Sequence, residues 1–167
     1  MLEIIQAQTD EHKHHVSDLF WEYLTWTNAM LNQEFKISFD MSVVLEADLS
    51  KLDQFAPPSG RLLIAKYQEK IVGCACLKKI GDDVGEIKRM YVRSDYRRKG
   101  IGKALLTAII KEARFIGYSK IRLDSSCFAK EAQALYRLLN FKDIEPYPES
   151  ELPEKYRSHW AFMELAL

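Results

Sequence analysis

The segment from Val84 to Gly117 constrains the fold of this 167-residue chain more than any other. It begins with a strand-like run, Val84 to Val92, and passes through a basic loop into a segment whose apolar residues recur with the helical period. A helix is therefore predicted from Gly100 to Gly117, where the second glycine suits a left-handed C-terminal cap. Two apolar runs precede Val84, so we expect an antiparallel meander of strands that leads into a long helix.

The rest of the chain divides into shorter elements. The further strands are predicted over Leu2 to Ala7, Arg61 to Tyr67, Lys70 to Leu77, Ile121 to Asp124 and His159 to Leu167. The further helices are predicted from Thr9 to about Leu31, from Met41 to Phe55 and from Ala129 to Leu139. With one more short strand before the last, the order β-α-α-β-β-β-α-β-α-β-β predicts an α/β (α+β) fold. Its central sheet is expected to be mixed, mostly antiparallel and flanked by helices, within a single domain over residues 1–167.

Charge and composition exclude several function classes. The 24 basic and 24 acidic side chains leave no net charge to attract nucleic acid or an anionic membrane. Three cysteines are too few for a four-cysteine metal site, and the histidines at positions 12, 14 and 15 have no further cluster to complete one. There is no run of 18 apolar residues and no basic leader before an apolar stretch. We therefore expect a cytoplasmic protein with no metal, no membrane partner and no nucleic-acid partner.

The basic loop before the long helix is a candidate anion site. Gly100 and Gly102 at the start of this helix let backbone N–H groups approach an anion, and the positive end of the helix dipole adds to the attraction. Basic side chains surround the same point: Arg97, Arg98, Lys99 and Lys103. The pattern therefore predicts a phosphate-bearing ligand that lies across the loop.

Two other phosphate-binding motifs fit this loop less well. A P-loop needs Gly-x-x-x-x-Gly-Lys-Ser/Thr, but position 97 is Arg97, and Ala104 follows Gly102-Lys103. A dinucleotide fingerprint needs a glycine where Leu105 stands and an N-terminal βαβ unit where this chain has a meander. Asp124 lies near the distance expected for a ribose-binding acid, so the dinucleotide alternative is weakened but stays open.

Three motifs in order resemble those of the GNAT N-acetyltransferase superfamily, over about Ile64 to Phe141. Arg97-x-x-Gly100-x-Gly102 resembles the acetyl-CoA pyrophosphate loop of that family. Glu86-Ile87-Lys88-Arg89-Met90-Tyr91-Val92 resembles the strand that precedes this loop in the family. Ala132-x-x-Leu135-Tyr136-x-x-x-Asn140-Phe141 resembles the later helix of the family and the strand that follows it. The chain departs from the family at Ala129, where an asparagine is frequent, and at Asn140, which replaces a glycine but suits a left-handed cap.

The resemblance implies an acetyl-CoA site between the strands near Met90 and Leu123. The implied cofactor-binding residues are Met90, Tyr91, Val92, Arg97, Arg98, Lys99, Gly100, Ile101, Gly102 and Lys103. Backbone groups of Met90 and Val92 would pair with the pantetheine amides where the strand splays from its parallel neighbour, and one N–H would stabilise a tetrahedral oxyanion. Arg97 and Arg98 are expected to contact the cofactor more than Lys99, which is expected to point outward.

Two side chains are candidate catalytic groups. Glu86 is expected to act as a base near the reacting carbon, because an amine with a pKa of about 10 must lose a proton before it attacks a thioester. Alternation along its strand puts Lys88, Met90 and Val92 on the same face, so an ion pair between Glu86 and Lys88 is the alternative role. Tyr136 is expected to donate a proton to the departing thiolate, and its alternative role is that of a core aromatic.

The resemblance implies an acetyl-CoA-dependent N-acetyltransferase that moves an acetyl group to a small-molecule or protein amine by direct attack in a ternary complex. Its acceptor specificity is expected in the loop Glu145-Pro146-Tyr147-Pro148 and in an aromatic N-terminal region, although most of these aromatics are expected to pack in the core: Phe20, Trp21, Tyr23, Trp26, Phe35 and Phe39. A non-catalytic CoA-binding regulatory module is the alternative, and it would dispense with Glu86 and Tyr136. A homodimer is one expected oligomeric state of the chain.

Overall fold

Seven strands and four helices follow one another along the chain in the predicted order. The computed structural model describes residues 1–167. Its strands are β1 (Leu2–Gln6), β2 (Arg61–Tyr67), β3 (Lys70–Gly81), β4 (Val84–Val92), β5 (Lys120–Ser126), β6 (Lys142–Ile144) and β7 (Trp160–Ala166). Its helices are α1 (Asp10–Phe35), α2 (Met41–Ser50), α3 (Ile101–Ile116) and α4 (Lys130–Leu138).

All seven strands join one sheet in the order β1-β2-β3-β4-β5-β7-β6. Every neighbouring pair is antiparallel except β4 and β5, which run parallel. The predicted fold class, a mixed and mostly antiparallel sheet flanked by helices, is confirmed. The final strand, β7, enters between β5 and β6, so the last strand in sequence is an inner strand of the sheet.

The second predicted helix was too long. It begins at Met41, where the Asp40 side chain accepts hydrogen bonds from two backbone N–H groups, but it ends at Ser50 instead of Phe55. A 3-10 turn over Leu52–Phe55 follows and buries Phe55 in the core beside β2. The apolar side chains that suggested one helix therefore belong to two short elements. The first predicted helix, in contrast, was too short, because α1 continues to Phe35 and closes on Lys36 in the left-handed conformation.

Helices cover both faces of the sheet and form two separate cores. The larger core contains the buried face of α3, including Leu105, Leu106 and Ile109, packed on one side of the sheet. The smaller core contains Phe20 of α1 with the β3 residues Cys74 and Cys76 on the other side. The sheet therefore separates α3 from α1, and residues on successive positions of one strand contact different helices.

A β-bulge interrupts β4 at Arg89, whose φ is 54°. Tyr91 pairs with Cys74 and Lys88 with Cys76, so two residues of β4 oppose one residue of β3. The predicted alternation was wrong beyond this point. Met90 and Val92 pack against the larger core with Ile87, not on the face that carries Glu86. One extra residue thus reverses the faces to which the side chains in the second half of β4 point.

The parallel pair opens just before the bulge. β4 and β5 pair only from Val84 to Glu86, opposite Lys120 to Arg122. Beyond Glu86 the two strands have no paired residues, while β5 continues to Ser126 in its pairing with β7. Two adjacent strands that separate in this way leave a cleft in the middle of the sheet, and one edge of each strand has no partner there.

Candidate active site

A cavity of about 710 Å³ occupies the cleft between the separated strands. Its walls come from the bulged half of β4, the loop and first turn of α3, the end of β5, α4, and two aromatic side chains of α1. Every predicted cofactor-binding residue lines this cavity except Lys99, which is exposed outside it. The sheet therefore brings the loop motif and the later helix motif to the same cleft.

The N-terminus of α3 has backbone donors that the protein does not use. α1 and α2 begin with side-chain caps from Thr9 and Asp40, whereas α3 begins at Gly100 with no side-chain cap. The first helical hydrogen bond runs from the Ala104 N–H to the Gly100 carbonyl, at 3.0 Å. The N–H groups of residues 101–103 therefore have no partner within the helix, and these residues line the cavity. Such an end suits an anion such as a phosphate group.

The two glycines of the loop serve different needs. Gly100 has a φ of 79°, a conformation in which other residues are strained. Gly102 is not in that conformation, and a Cβ added to it would meet Leu135 at 3.5 Å and Val92 at 3.9 Å, which are ordinary contacts. The protein itself therefore does not require glycine at 102. The missing side chain leaves space at the cavity wall, and this fits a close approach of a ligand phosphate to the backbone.

The basic loop residues differ in what they contact. Arg97 donates from Nε to the Val92 carbonyl at 3.0 Å, and its guanidinium lies 5.7 Å from the centre of the Tyr91 ring. Arg98 is in the left-handed conformation and pairs with Glu131 at 3.2 Å, where both side chains are exposed. Exposed pairs of this kind contribute little to stability, so the guanidinium of Arg98 remains available to an anion in the cavity.

Tyr136 is buried on α4 and faces the cleft. Its hydroxyl lies 3.9 Å from the sulfur of Met90, and its ring packs on Phe141 with ring centres 5.6 Å apart. Burial raises the pKa of the Tyr136 hydroxyl, so the phenol stays protonated at neutral pH. The Tyr136 hydroxyl therefore remains a hydrogen-bond donor beside the bulged half of β4.

Glu86 is almost completely enclosed, with 1% of its surface exposed, and it does not line the cavity. Its Oε2 accepts a hydrogen bond from the Tyr147 hydroxyl at 2.7 Å. Its Oε1 has no hydrogen bond and lies 4.0 Å from the amines of both Lys78 and Lys88. Burial raises the pKa of the Glu86 carboxyl, while the Lys88 charge and the Tyr147 hydrogen bond oppose the increase. A carboxylate with a raised pKa is better matched to accept a proton near neutral pH.

Sequence reasoning did not anticipate the partner of Glu86. Tyr147 lies in the loop predicted to affect specificity, and its hydroxyl contacts Glu86 across 61 residues of sequence. Three residues further on, Ser150 donates to Asp124 at 3.0 Å, and Asp124 lines the cavity. No local pattern predicts either contact, although two prolines beside Tyr147 mark the segment as an ordered loop.

The aromatic N-terminal residues divide between cavity and core. Tyr23 and Trp26 line the cavity, and Trp26 packs edge-on against Phe128 with ring centres 5.5 Å apart. Phe20 is fully buried in the smaller core, whereas Trp21 is exposed. Ala129 also lines the cavity, at the position where the family pattern often has asparagine, and Asn140 has a φ of 74°, in agreement with its predicted left-handed role.

The separated strands β4 and β5, the uncapped start of α3 and Tyr136 thus meet at one cleft. The chain belongs to the Acetyltransferase (GNAT) family, whose model matches residues 13–141. No group of three or more His, Cys, Asp or Glu side chains converges as a metal site, and no helix has the length and apolar character needed to cross a membrane.

Several curated proteins are similar to this chain in sequence. An uncharacterized N-acetyltransferase of Schizosaccharomyces pombe is 31% identical over 130 residues, which cover 74% of this chain and 80% of the relative. The IAA acetyltransferase of Azospirillum brasilense is 35% identical over 100 residues, or 59% of this chain and 65% of the relative. An uncharacterized N-acetyltransferase of Escherichia coli is 29% identical over 120 residues, with 69% and 72% covered. These relatives confirm the predicted enzyme class, an N-acetyltransferase.

Solved structures confirm the fold. A GNAT-family acetyltransferase of Staphylococcus aureus has a TM-score of 0.76 at 22% identity, with 100% of this chain and 99% of that chain covered. The PaiA N-acetyltransferase of Thermoplasma acidophilum, solved in complex with coenzyme A, has a TM-score of 0.76 at 20% identity, with the same coverage. A GNAT-family acetyltransferase of Elizabethkingia anophelis with acetyl-CoA bound has a TM-score of 0.55 at 25% identity, with 71% and 82% covered.

Proposed function

We propose that residues 1–167 act as one domain that transfers the acetyl group of acetyl-CoA to a primary amine by direct attack in a ternary complex. The observation that carries the proposal is the uncapped N-terminus of α3, which shares one cavity with the protonated hydroxyl of Tyr136. The first feature suits a phosphate-bearing substrate and the second suits a departing thiolate. Their combination in one cleft supports acyl transfer from a CoA thioester.

The pyrophosphate of acetyl-CoA would bind the free N–H groups at the start of α3. Gly102 lets the phosphates approach the backbone, while Arg97, Arg98 and Lys103 supply positive charge around the same point. The pantetheine arm would pair with the unpartnered edge of β4 from Met90 to Val92, because β5 has already separated from that edge. The thioester would then lie near Tyr136.

An acceptor that arrives as an ammonium ion loses two protons, one before its nitrogen attacks and one from the nitrogen of the tetrahedral intermediate, and the thiolate gains one proton. Glu86 would accept the first proton on Oε1, which has no hydrogen-bond partner in the protein. Because Glu86 does not line the cavity, the proton would pass through water. The amine nitrogen then bonds to the acetyl carbon and the carbon–sulfur bond breaks. The second proton of the nitrogen replaces the one that the thiolate gains, and Tyr136 donates a hydrogen bond or its own proton to the thiolate. A backbone N–H near Met90 would stabilise the oxyanion of the tetrahedral intermediate.

The acceptor is proposed to be a small-molecule or protein amine. The cytoplasmic location and the homodimer remain predictions from the sequence. The deciding experiment measures acetyl-CoA binding by calorimetry and then follows thiol release with a panel of amines, amino acids and lysine-containing peptides. We expect acetyl-CoA binding and turnover with at least one amine. Absence of acetyl-CoA binding would overturn the proposal, and binding without turnover on the whole panel would assign the chain to the regulatory alternative.

A further inference from the structure

Asp124 is the acidic side chain of β5 that faces the cavity beyond the point where β4 and β5 separate. Its Oδ2 accepts a hydrogen bond from the Ser150 hydroxyl at 3.0 Å, and its Oδ1 has no hydrogen-bond donor from the protein. A carboxylate at a cavity wall with one oxygen held and one oxygen free is fixed in direction yet still able to accept a hydrogen bond from a ligand.

Two cationic side chains of β4 that also line the cavity, Lys88 and Arg89, are paired with other acidic side chains. Arg89 donates to both carboxylate oxygens of Asp48, at 2.8 and 3.1 Å. Lys88 lies 3.5 Å from Glu151, which also accepts a hydrogen bond from Lys78. Asp124 takes part in none of these pairs. Asp124 therefore has no opposite charge from the protein as its partner, and a cation from outside the protein would supply one.

Aromatic side chains complete the surroundings of Asp124. Tyr23, Trp26 and Phe128 line the same cavity, and the rings of Trp26 and Phe128 meet edge to face. Aromatic faces attract alkylammonium groups and also bury their carbon chains. A carboxylate beside such rings matches a ligand that has a positive head and an apolar stem.

We propose that Asp124 binds the ammonium group of the acceptor, and that the acceptors are primary alkylamines with no carboxylate on the carbon that carries the amine. A carboxylate at that carbon would approach Asp124, and the nearby cations Lys88 and Arg89 are already paired. This inference rests on the proposed acetyl transfer and deepens it, since it assigns the substrate class and the residue that selects it.

The test compares Asp124→Asn with the unchanged protein on matched acceptors. Each pair consists of an amino acid and the amine that remains when its carboxyl group is removed, for example leucine with isopentylamine and phenylalanine with phenethylamine. We expect the unchanged protein to prefer the amine of each pair by about 10-fold or more in kcat/KM. Asp124→Asn should lower kcat/KM for the amines by about 50-fold, mainly through KM, without a change in acetyl-CoA affinity. Asp124→Glu should restore part of the loss.

A second measurement does not depend on turnover. Calorimetry of the CoA-loaded protein should detect binding of the same amines, and Asp124→Asn should remove this binding. Asp143→Asn is the control and should retain the binding, because Asp143 is exposed and pairs with Arg137. Equal amine affinity in the unchanged protein and Asp124→Asn overturns the inference, as does a preference for the amino acid in each pair. The absence of amine binding to a protein that binds acetyl-CoA also overturns it, whereas failure to bind acetyl-CoA overturns the proposed function instead.

Discussion

The two ends of the cavity are built in different ways. The end proposed to bind acetyl-CoA, named the cofactor end, comes from one continuous segment, residues 90–103, and presents backbone N–H groups and exposed basic side chains. The end proposed to bind the acceptor, named the acceptor end, is assembled from α1, β4, β5 and the loop before β7. Its polar side chains range from buried to exposed and are joined in pairs: Glu86 to Tyr147, Asp124 to Ser150, and Lys88 to Glu151. If the proposed function holds, binding of the common substrate depends on local backbone geometry, whereas choice of the acceptor depends on contacts between distant segments.

The cofactor end is tested most severely by Gly102→Val. A valine would fill the space that the glycine leaves at the cavity wall, although its Cβ meets the protein only at ordinary contact distances. We expect acetyl-CoA affinity to fall by about 100-fold or more in calorimetry, with little change in the melting temperature. Gly81→Val is the matched control, because Gly81 lies at the far end of β3 with similar room. An affinity within about threefold of the unchanged protein would remove the phosphate assignment.

Tyr136→Phe tests the chemistry between the two ends. It keeps the ring packed on Phe141 and removes only the hydroxyl near the Met90 sulfur. We expect kcat to fall by about 10- to 1000-fold while acetyl-CoA affinity stays the same. Tyr118→Phe is the control, because Tyr118 is also buried but donates its hydrogen bond to Ser59, away from the cavity. A rate within about twofold of the unchanged protein would make Tyr136 a packing residue.

Glu86→Gln tests whether the buried carboxylate accepts the proton. Since burial raises the pKa of Glu86, the rate of the unchanged protein should fall as the pH drops through that raised pKa and the carboxylate becomes protonated. The variant should lose about 100-fold in rate at neutral pH and recover in part at alkaline pH, where free amine accumulates. Glu112→Gln, which removes a partner of Arg61 outside the cavity, serves as control. An unchanged pH–rate profile would assign Glu86 to structure.

Tyr147→Phe is expected to give the smallest effect. It tests the acceptor end through the loop that contains Tyr147. The Tyr147 hydroxyl lowers the pKa of Glu86, so its removal should raise that pKa further and move the acidic limb of the pH–rate profile to higher pH. We expect a fall of about 3- to 10-fold in kcat/KM at pH 6 and little change at pH 9. Since phenylalanine keeps the ring, a uniform loss at every pH would mean that the hydroxyl positions Glu86 or its loop and does not act through the pKa of Glu86.

The strands, the loop and the helix of the cofactor end were predicted well, because their determinants are local. The bounds of β2 and β4, the long α3 and the glycine-containing loop follow from period changes and turn residues within short windows. The bulge at Arg89 could not be predicted in this way, since its side chain is held by Asp48, 41 residues earlier in the chain. The face carrying Met90 and Val92 was therefore misassigned. Similarly, nothing near Glu86 in sequence indicates that Tyr147 would cover it.

The place of β7 in the sheet imposes an order on folding. Until residues 160–166 have been synthesised, β5 has no partner on the side away from β4, and the short β6 has no strand beside it. The segment from β2 to α3, which contains the cofactor loop, can pack before that strand exists, because its sheet contacts are made among β2, β3 and β4. The last strand then closes an exposed strand edge and fixes both ends of the loop that carries Tyr147 and Ser150. During synthesis, the strands and the helix that carry the proposed acetyl-CoA loop are therefore complete before the loop that carries Tyr147 and Ser150 has strands paired at both of its ends.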